Sequence, residues 1–372
     1  MKIAFISMHP APYRDAFIEK LVQNNPKNID VFNFLSLDKG HDFWGLETST
    51  FKVEELGGSR LSFFRMTFKL LRMFVFSKKY DFVMWPGWTY KPLLIPIFLS
   101  ALFRKKFGFS ADTIKQGKIS KIGFILKRFV VNRARIILVP GEAGRLFFSK
   151  TFGTDTNKIL MGAYALDGDR IEIEILKRRA NLKNSIRNKY DIMDNSKVFL
   201  MVANMIPTRH YPITVSAFVE VAKQNKNAVF FIVGRGPDLE LMQEISFKEK
   251  CIRVIPGCSF DEMLSLYAMS DVYVHGGTEP ASTALVIGAI SHLPLISSMA
   301  VGCAKDVLVD GESGVLVEDY KNGALWESGF EKMLKSEDLW KIYGDRARDL
   351  SLNLDVDVCV NRFAHALSSV DA

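Results

Sequence analysis

From His275 to Ile296 the chain reads HGGTEPASTALVIGAISHLPLI, in which a turn of small and polar residues runs into an apolar stretch of helical length. Its one carboxylate, Glu279, stands just before that stretch. The first N–H groups of a helix have no intrahelical acceptors and lie at the positive end of the helix dipole, so anions bind there readily. The small side chains of Ala281, Ser282 and Thr283 would let a phosphate approach those amides. A capped core helix without a ligand explains the same residues equally well, so the flanking sequence decides.

The size and composition of the chain indicate an ordinary globular protein with two domains. With 372 residues it exceeds the length that one hydrophobic core usually organises. Its 48% of apolar and 24% of charged residues exclude a disordered chain. The spacing of its four cysteines matches neither a zinc knuckle nor a disulfide framework, so we expect a reducing cytosol.

Apolar stretches long enough to cross a membrane are absent from the sequence. The apolar run near the amino terminus breaks at His9-Pro10, too early for a signal peptide, and we expect it to be a buried first strand. The longest uncharged apolar stretch, residues 92–103, has twelve residues, too few to span a bilayer as a helix. The sequence therefore predicts no transmembrane segment.

The positive charge is concentrated in the first half of the chain. Residues 1–165 contain 26 Lys and Arg against 12 Asp and Glu, whereas the remainder contains 23 against 29. Two stretches, 60–79 and 119–135, align basic side chains at helical spacing beside many apolar ones. The basic residues are Arg65, Lys69 and Arg72 in the first stretch, and Lys121, Arg128 and Arg135 in the second.

Basic amphipathic helices of this kind lie on anionic membranes. Core helices with solvated basic faces are the alternative for either stretch taken alone. Nucleic acid ranks lower as a partner because no recognised nucleic-acid module is present. The sequence thus predicts contact with an anionic membrane surface through the helices near 60–79 and 119–135, and no nucleic acid.

Strand-like apolar runs alternate with helical stretches in both halves of the chain. Such alternation predicts parallel sheets covered by helices, so we expect an α/β protein of two doubly wound, Rossmann-like domains that face each other across a cleft. The first domain should span 1–165 and the second 196–348. Residues 166–195, polar and charge-rich, predict a linker with a surface helix, and 349–372 predict a terminal helix that packs back on the first domain.

Four loops of the second half follow predicted strands and should meet at the carboxyl edge of one sheet, where such sheets bind ligands. They cover residues 202–209, 233–237, 255–258 and 275–284. Arg209 supplies a guanidinium, which suits phosphate geometry, and the glycines at 234 and 236 permit close backbone approach. Each loop alone is explained by a plain turn, but together they predict a site for a nucleotide diphosphate.

From Lys197 to about Val317 the order and spacing of these segments resemble the donor domain of family 4 glycosyltransferases, which are retaining enzymes with the GT-B fold. The matching stretches are 203–209, 233–237, 255–267, 271–274, 279–296 and 302–317. The first half resembles the family's acceptor domains through residues 11–14 and 139–141. The resemblance implies transfer of a sugar from a nucleotide sugar, with retention of configuration, from a donor domain at 196–348 to an acceptor held by domain 1–165.

The resemblance also implies roles for individual residues. In the family's motif of Glu, seven residues and Glu, Glu279 takes the first place, which holds donor-sugar hydroxyls, and Ile287 stands at the second, which holds the ribose. At the diphosphate clamp Asn204 replaces the family's arginine and Arg209 its lysine. The family's acceptor-domain histidine has no counterpart near 109–112. The predicted donor-binding residues are Asn204, Arg209, Gly234, Arg235, Cys258, Glu279, Ala281, Ser282, Thr283 and Ala284.

On the acceptor side, His9, Tyr13 and Arg14 lie in the loop after the first strand, and Asp112, at another strand end, is a candidate to orient the acceptor hydroxyl. The catalytic set is then Glu279, Arg209 and Asp112. Two Asp-x-Asp triplets, at 167–169 and 355–357, are expected in a linker turn and a terminal helix, so we expect no metal and no cofactor.

The sequence therefore predicts a retaining, metal-independent hexosyltransferase that uses a nucleotide sugar, UDP- or GDP-linked. Its acceptor would be a glycan or a polyprenyl-linked glycan at the cytoplasmic face of the inner membrane, in the biosynthesis of surface polysaccharide, lipopolysaccharide or glycolipid. Two alternatives remain open at this point. One is a degenerate glycosyltransferase-like protein that binds without turnover, and the other is a sugar-nucleotide epimerase with the GT-B fold.

Overall fold

The structure of the protein, a computed structural model, describes residues 1–8, 12–25, 28–34, 52–57, 61–88, 90–115 and 117–371, apart from the side chains of 12–14 and 371. The chain divides into two compact units. Unit 1 comprises Met1–Leu166 together with Leu354–Ala372, and unit 2 comprises Asp167–Asn353. Each unit contains a parallel sheet with helices, which confirms the predicted α/β class with two doubly wound domains.

The first part of unit 1 contributes seven strands and five helices of the described chain. The strands are β1 (Ile3–Ser7), β2 (Ile29–Asn33), β3 (Val53–Glu55), β4 (Phe82–Trp85), β5 (Lys106–Ser110), β6 (Ile136–Val139) and β7 (Ile159–Met161). The helices are α1 (Pro12–Asn24), α2 (Phe63–Leu70), α3 (Lys91–Leu102), α4 (Lys121–Arg133) and α5 (Glu142–Phe152). The sheet order is β3-β2-β1-β4-β5-β6-β7, and every pair is parallel.

Unit 2 contains a parallel sheet of six strands with the order β10-β9-β8-β11-β12-β13. The strands are β8 (Lys197–Val202), β9 (Ala228–Val233), β10 (Ile252–Ile255), β11 (Val272–His275), β12 (Leu295–Ser298) and β13 (Gly314–Val317). The helices are α6 (Gly168–Lys189), α7 (Tyr211–Ala222), α8 (Leu239–Lys248), α9 (Phe260–Met269), α10 (Thr283–Ile290), α11 (Ala304–Val307), α12 (Gly323–Lys335) and α13 (Trp340–Ser351).

Both sheets reverse their strand order at one point. In unit 1 the chain runs outward from β1 through β2 to β3 and then returns to the other side of β1 with β4. In unit 2 it runs from β8 through β9 to β10 and returns to the other side of β8 with β11. Loops diverge from such a switch point at the carboxyl edge of a parallel sheet and leave a crevice for a ligand. The switch points therefore lie between β1 and β4 and between β8 and β11.

The segment 166–195, expected as a linker and surface helix, forms mainly α6, a helix of 22 residues in unit 2. It begins at an Asp167 cap, whose side chain accepts the N–H of Arg170, and packs on α9. Its Arg187 is buried, with a guanidinium that donates to Asp271 and to three backbone carbonyls. The buried Arg187 guanidinium, with its hydrogen bonds satisfied, therefore fixes α6 to the rest of unit 2.

The final helix, α14 (Val356–Asp371), belongs to unit 1. It contacts α1, and its Phe363 ring meets Phe5 and Phe17 with centroids 6.2 and 5.7 Å apart. Phe363 and Val360 are fully buried in the same cluster. The carboxyl-terminal residues therefore complete one side of the unit 1 core, while α2 to α5 cover the other side.

The helix predicted near residues 60–79 differs from the structure. The α-helical part, α2, ends at Leu70 and continues as a π-helical turn over Leu71–Val75. That turn buries Phe74, whose ring packs edge-on against Phe32 at 5.0 Å and Trp85 at 5.8 Å. Since the apolar pattern alone does not distinguish a π turn from an α turn, the widening was not visible in the sequence.

Large apolar side chains are exposed on three consecutive helices of unit 1. Helix α3 contacts both α2 and α4, and the Phe98 and Phe129 rings meet at 6.0 Å between α3 and α4. We call the exposed residues of these helices and their ends the apolar surface: Phe63, Phe64, Phe68, Phe76, Leu94, Ile95, Leu102, Phe103, Ile119, Ile122, Ile125 and Leu126. None of the described helices combines the length and hydropathy needed to cross a membrane.

Candidate active site

The loops that follow β8 and β11 meet at the switch point of unit 2. Gly277, with φ of 77°, lies so close to the β8 loop that a Cβ there would be 2.2 Å from the carbonyl oxygen of Thr208. The N–H of Thr278 donates to the same carbonyl at 2.9 Å. This approach brings Arg209, at the end of the β8 loop, against Glu279.

Arg209 and Glu279 form a largely buried ion pair. The distance from Arg209 Nη2 to Glu279 Oε2 is 2.5 Å, and the two side chains are 11% and 13% exposed. Arg209 Nη1 also donates to the Thr278 carbonyl at 3.3 Å. Arg209 Nε is buried and has no hydrogen-bond partner among the described residues. The guanidinium therefore retains an unsatisfied donor, which is unusual for a buried cation.

The second carboxylate oxygen of Glu279 contacts a histidine that sequence reasoning did not assign to the site. His275, the last residue of β11, is fully buried and hydrogen-bonds Glu279 Oε1 through Nε2. In the sequence, His275 is distinguished only by standing four residues before Glu279. Outside a helix, that spacing does not predict a contact. The hydrogen-bonding partners of the Glu279 carboxylate in the described chain are thus Arg209 and His275.

Helix α10 begins beside this pair. Ser282 is its N-cap, and the Ser282 hydroxyl accepts the N–H of Leu285 at 3.2 Å. The N–H of Ser282 donates a hydrogen bond to the sulfur of Cys303 at 3.1 Å. The amides of Thr283 and Ala284 lie in the first turn, where helix geometry provides no intrahelical acceptor. An anion at this helix start would meet those amides and the positive end of the helix dipole.

The β9 and β10 loops pack on the β8 loop and carry the remaining predicted donor-binding residues. A Cβ at Gly234 would lie 1.9 Å from the carbonyl oxygen of Ala203, and the N–H of Met205 donates to the Arg235 carbonyl. Arg235 Nε in turn donates to the Pro256 carbonyl at 2.7 Å. Asn204 is exposed on its loop, and Cys258 is half-buried. Burial raises the pKa of the Cys258 thiol to about 11, so it is a neutral side chain at physiological pH.

Ile287 lies in the second turn of α10 and is only 5% exposed. Its side chain belongs to the core of unit 2, so this position offers no polar group to a ligand. Beneath α10, the hydroxyl of Tyr267 donates to the Ala284 carbonyl at 2.8 Å.

In unit 1, Asp112 lies at a cavity of about 270 Å³ beside that unit's switch point. The cavity is lined by the ends of β1, β4 and β5 and includes Trp85, Trp88 and Tyr164. Asp112 Oδ2 accepts the hydroxyl of Tyr164 at 2.6 Å. His9 and the side chains of Tyr13 and Arg14 lie outside the described residues.

The Asp-x-Asp triplets have structural partners. Asp167 caps α6, and Asp169 pairs with Arg348 at 2.9 Å. Asp357 pairs with Lys20 at 2.7 Å. Within the ranges that the structure describes, no group of three or more His, Cys, Asp or Glu side chains is placed to hold a metal ion.

The sequence and the fold are similar to those of known proteins. Residues 183–350 match the family model for glycosyl transferases group 1. The α-monoglucosyldiacylglycerol synthase of Acholeplasma laidlawii is 26% identical over 151 residues, which are 40% of this chain and 35% of that protein. The chain thus matches about a third of the length of this curated relative.

Solved glycosyltransferase structures superpose over nearly the entire chain. HepE of Anabaena, solved with UDP, has a TM-score of 0.77 and 16% identity, with 99% of this chain and 100% of that one covered. WaaG, a glycosyltransferase of lipopolysaccharide biosynthesis, has a TM-score of 0.67 and 16% identity, with 97% and 98% covered. The fold is therefore the GT-B fold. Together with the family match over unit 2, it supports a GT-B glycosyltransferase.

Proposed function

We propose that the protein is a retaining hexosyltransferase that takes a sugar from a nucleotide sugar, UDP- or GDP-linked, without a metal or cofactor. The observation that carries the proposal is the buried Arg209–Glu279 pair beside the start of α10, at the switch point of unit 2. An unsatisfied guanidinium and first-turn amides suit a diphosphate, while a carboxylate beside them suits sugar hydroxyls. The structural neighbour HepE was solved with UDP-glucose, which is in line with such a donor.

In the proposed mechanism Glu279 holds hydroxyls of the donor sugar, and Arg209 with the amides of Thr283 and Ala284 stabilises the charge of the departing nucleotide diphosphate. Fixed donors aimed at a developing charge are effective because they need no reorganisation during the reaction. The acceptor hydroxyl attacks from the face that the diphosphate leaves, which retains the configuration. Its oxygen bonds to the sugar C1 as the bond from C1 to the diphosphate oxygen breaks, and its proton passes to the departing diphosphate. Arg209 and the helix start supply the positive charge for which a metal would otherwise be needed.

For the acceptor we propose a glycan or a lipid-linked glycan, with Asp112 orienting the attacking hydroxyl. Support comes from the unit 1 cavity, whose lining includes Asp112 together with Trp85 and Trp88. Aromatic faces with a nearby carboxylate are suited to sugar rings, whose CH faces are apolar and whose edges donate hydrogen bonds. His9, Tyr13 and Arg14 remain proposed acceptor contacts.

We further propose that unit 1 lies on the cytoplasmic face of an anionic membrane and that the product is a surface polysaccharide, lipopolysaccharide or glycolipid. The apolar surface combines twelve large apolar side chains with the basic Arg65, Arg72, Lys121 and Arg128 around them, a combination that anionic bilayers attract. Contiguous apolar patches of this kind mark interaction sites. Similarity to a monoglucosyldiacylglycerol synthase and to WaaG, a glycosyltransferase of lipopolysaccharide biosynthesis, is in line with this proposal.

Donor hydrolysis and transfer by wild type and Glu279→Gln test the transferase proposal. With UDP- and GDP-sugars and a panel of glycan acceptors, Glu279→Gln should lose about 100-fold in rate, the scale of one catalytic electrostatic contact. The control Glu318→Gln, at an exposed position, should retain the wild-type rate. Full activity of Glu279→Gln would contradict the assignment of Glu279 to the active site.

The main alternative is a binding protein without turnover, and the buried Ile287 is the observation that favours it. A nucleotide that raises the melting temperature while no donor is hydrolysed or transferred would establish that alternative. Interconversion of free nucleotide sugars without any acceptor would instead identify an epimerase.

Flotation on vesicles containing anionic lipid tests the membrane proposal. The double variant Ile122→Gln/Ile125→Gln removes two side chains that are 71% and 64% exposed and should float several-fold less than wild type. Ile342→Gln, at a 61% exposed position of unit 2, is the matched control and should float like wild type. Because salt screens charge but not apolar insertion, part of the wild-type binding should persist at high salt. Equal flotation of all three proteins would contradict the proposal.

A further inference from the structure

His275 connects the Glu279 carboxylate to a buried hydroxyl. Its Nε2 is hydrogen-bonded to Glu279 Oε1, and its Nδ1 lies 3.2 Å from the Tyr273 hydroxyl. The same hydroxyl lies 3.2 Å from the carbonyl oxygen of Val202. The imidazole and the Tyr273 ring are stacked at 18°, and both side chains are fully buried. The ring therefore has a fixed orientation, and its contact with solvent is indirect, through Glu279, which is 13% exposed.

This arrangement accommodates both protonation states of His275. In the neutral ring, Nε2–H donates to Glu279 and Nδ1 accepts the Tyr273 hydroxyl. In the imidazolium, Nδ1–H donates to the Tyr273 oxygen, and the hydroxyl turns to the Val202 carbonyl. In both states the two ring nitrogens of His275 and the Tyr273 hydroxyl keep a hydrogen-bond partner, so a proton enters without leaving any of these three groups unpaired.

The charge around Glu279 decides which state prevails. In the ligand-free site, Arg209 neutralises the carboxylate, and a second cation beside it would be unfavourable in a poorly solvated pocket. A diphosphate that engages the guanidinium shares it with Glu279 and adds negative charge beside that carboxylate. A buried carboxylate then needs another counter-charge, and of the described residues His275 is the other one in contact with it.

The remaining titratable groups around His275 stay neutral. Tyr267 stacks on Tyr273 at 5.4 Å, and Tyr211 donates its hydroxyl to the Ala203 carbonyl. Burial raises the pKa of all three tyrosines well above the usual value. Burial likewise raises the pKa of the Cys303 thiol next to Ser282. Near pH 7 these groups neither supply nor take up a proton.

We propose that binding of a nucleotide diphosphate to this site is coupled to the uptake of one solvent proton by His275. The coupling rests on the proposed function, because the donor's diphosphate is what competes with Glu279 for the charge of Arg209. The proton resides on Nδ1 and is released when the nucleotide leaves. His275 is thus a positioning residue that keeps Glu279 charged and oriented toward the donor sugar.

Calorimetric titration of the full chain with UDP and with GDP tests the coupling. At pH 7.5, in buffers that differ in ionisation enthalpy, the dependence of the heat on the buffer counts the protons taken up. A nucleotide diphosphate, whose second phosphate pKa is about 6, is almost fully ionised at that pH and contributes little itself. Wild type should take up protons on binding, to a limit of one for each nucleotide, and His275→Gln, which keeps a donor for Glu279, should take up none.

Two further variants complete the test. His292→Gln is the matched control, since His292 lies in the same unit between Glu172 and Asp345, outside this site, and it should keep the wild-type proton count. Tyr273→Phe keeps the ring stack but removes the acceptor for Nδ1–H, so it should lower the number of protons taken up on binding. This variant tests the coupling even if His275→Gln does not fold.

Two results would overturn the coupling. One is nucleotide binding by wild type without proton uptake, and the other is equal uptake by wild type and the folded His275→Gln variant. Failure of wild type to bind any nucleotide would instead refute the proposed function, and the coupling with it.

Discussion

Glycines at Gly234, Gly236 and Gly277 set how closely the loops of the candidate active site approach one another. Each of them lies where a Cβ would come within 2.3 Å of a backbone carbonyl oxygen on the β8 loop. Contacts at that distance are impossible without movement of one backbone. The positions of Arg209 and Glu279 therefore depend on residues that have no side chain.

Gly277→Ala should destabilise unit 2 more than Gly311→Ala does. Both glycines have φ near 75°, a conformation that costs an alanine about 1 kcal/mol. At Gly277 the new methyl group would also collide with the backbone of the β8 loop, whereas Gly311 has open space around it. Melting curves of the two variants compare the costs. An equal loss for both would show that the loops separate easily and that the close approach is not required.

Caps on helices position the amides that the proposed diphosphate site uses. The Ser282 hydroxyl caps the start of α10. The Ser259 hydroxyl caps the start of α9 in the same way, by accepting the N–H of Glu262 at 3.2 Å. A lost cap frays the first turn. Only the first turn of α10 lies beside Arg209 and Glu279.

Ser282→Ala and Ser259→Ala should each cost about 1 kcal/mol of stability, the usual value of an N-cap. Only Ser282→Ala should also weaken binding of UDP, several-fold, because the amides of Thr283 and Ala284 lose their fixed direction. Denaturation and nucleotide titration of both variants measure the two effects. Equal nucleotide affinity of the two variants would argue against an anion at the start of α10.

A cluster of charged side chains joins α6, the turn after α10, and α13. Glu172 accepts from Arg348 at 2.7 Å, and the two ring nitrogens of His292 lie 2.7 Å from Glu172 and 2.8 Å from Asp345. Burial raises the pKa of the Glu172 carboxyl, but the hydrogen bonds from His292 and Arg348 outweigh burial and hold that pKa below its usual value. The ionised carboxylate thus stabilises the folded unit.

Stability gained from a lowered pKa is present above the unfolded value, about 4.3 for glutamate, and is lost as the pH falls through the folded value. Glu172→Gln should therefore lower the melting temperature at pH 7 and show a smaller further loss than wild type below about pH 4. Glu244→Gln, at an exposed position, should follow the wild-type curve. Parallel curves for wild type and Glu172→Gln would contradict the argument.

In the molecule as a whole, the two units have separate cores, and the chain enters unit 1 twice. Phe363 of α14 lies in the unit 1 core, whereas Phe330 of α12 lies in the unit 2 core, and both are fully buried. Unit 1 therefore lacks part of its core until residues 354–371 have been made.

Phe363→Ala should destabilise unit 1 and Phe330→Ala unit 2, each by about 3 to 5 kcal/mol, because a buried ring leaves a cavity. Hydrogen exchange followed by peptide in both variants measures which unit loses protection. Loss of protection in both units by either variant would show that they unfold together.

Much of the secondary structure was predictable because apolar runs bounded by polar residues, glycine or proline report local burial directly. Runs of the sequence at 228–233, 252–255, 260–269 and 283–290 have the same bounds as β9, β10, α9 and α10. The strand order was not predictable in this way, because each parallel strand looks alike in composition. For the same reason the apolar run at 92–103 excluded a membrane span without revealing that α3 joins α2 and α4 in one apolar surface.

The amino-acid sequence alone was sufficient for the α/β class, for two domains, and for Glu279 before a helix start, since these follow from periodicity, length and local capping chemistry. Tertiary structure alone decided which groups meet at Glu279. Arg209 is 70 residues away in the chain and arrives because β8 and β11 are neighbours across the switch point. His275 arrives because the turn at Gly276 and Gly277 folds Glu279 back over the end of β11. Contacts of this kind depend on strand neighbours and loop paths, which no local pattern encodes.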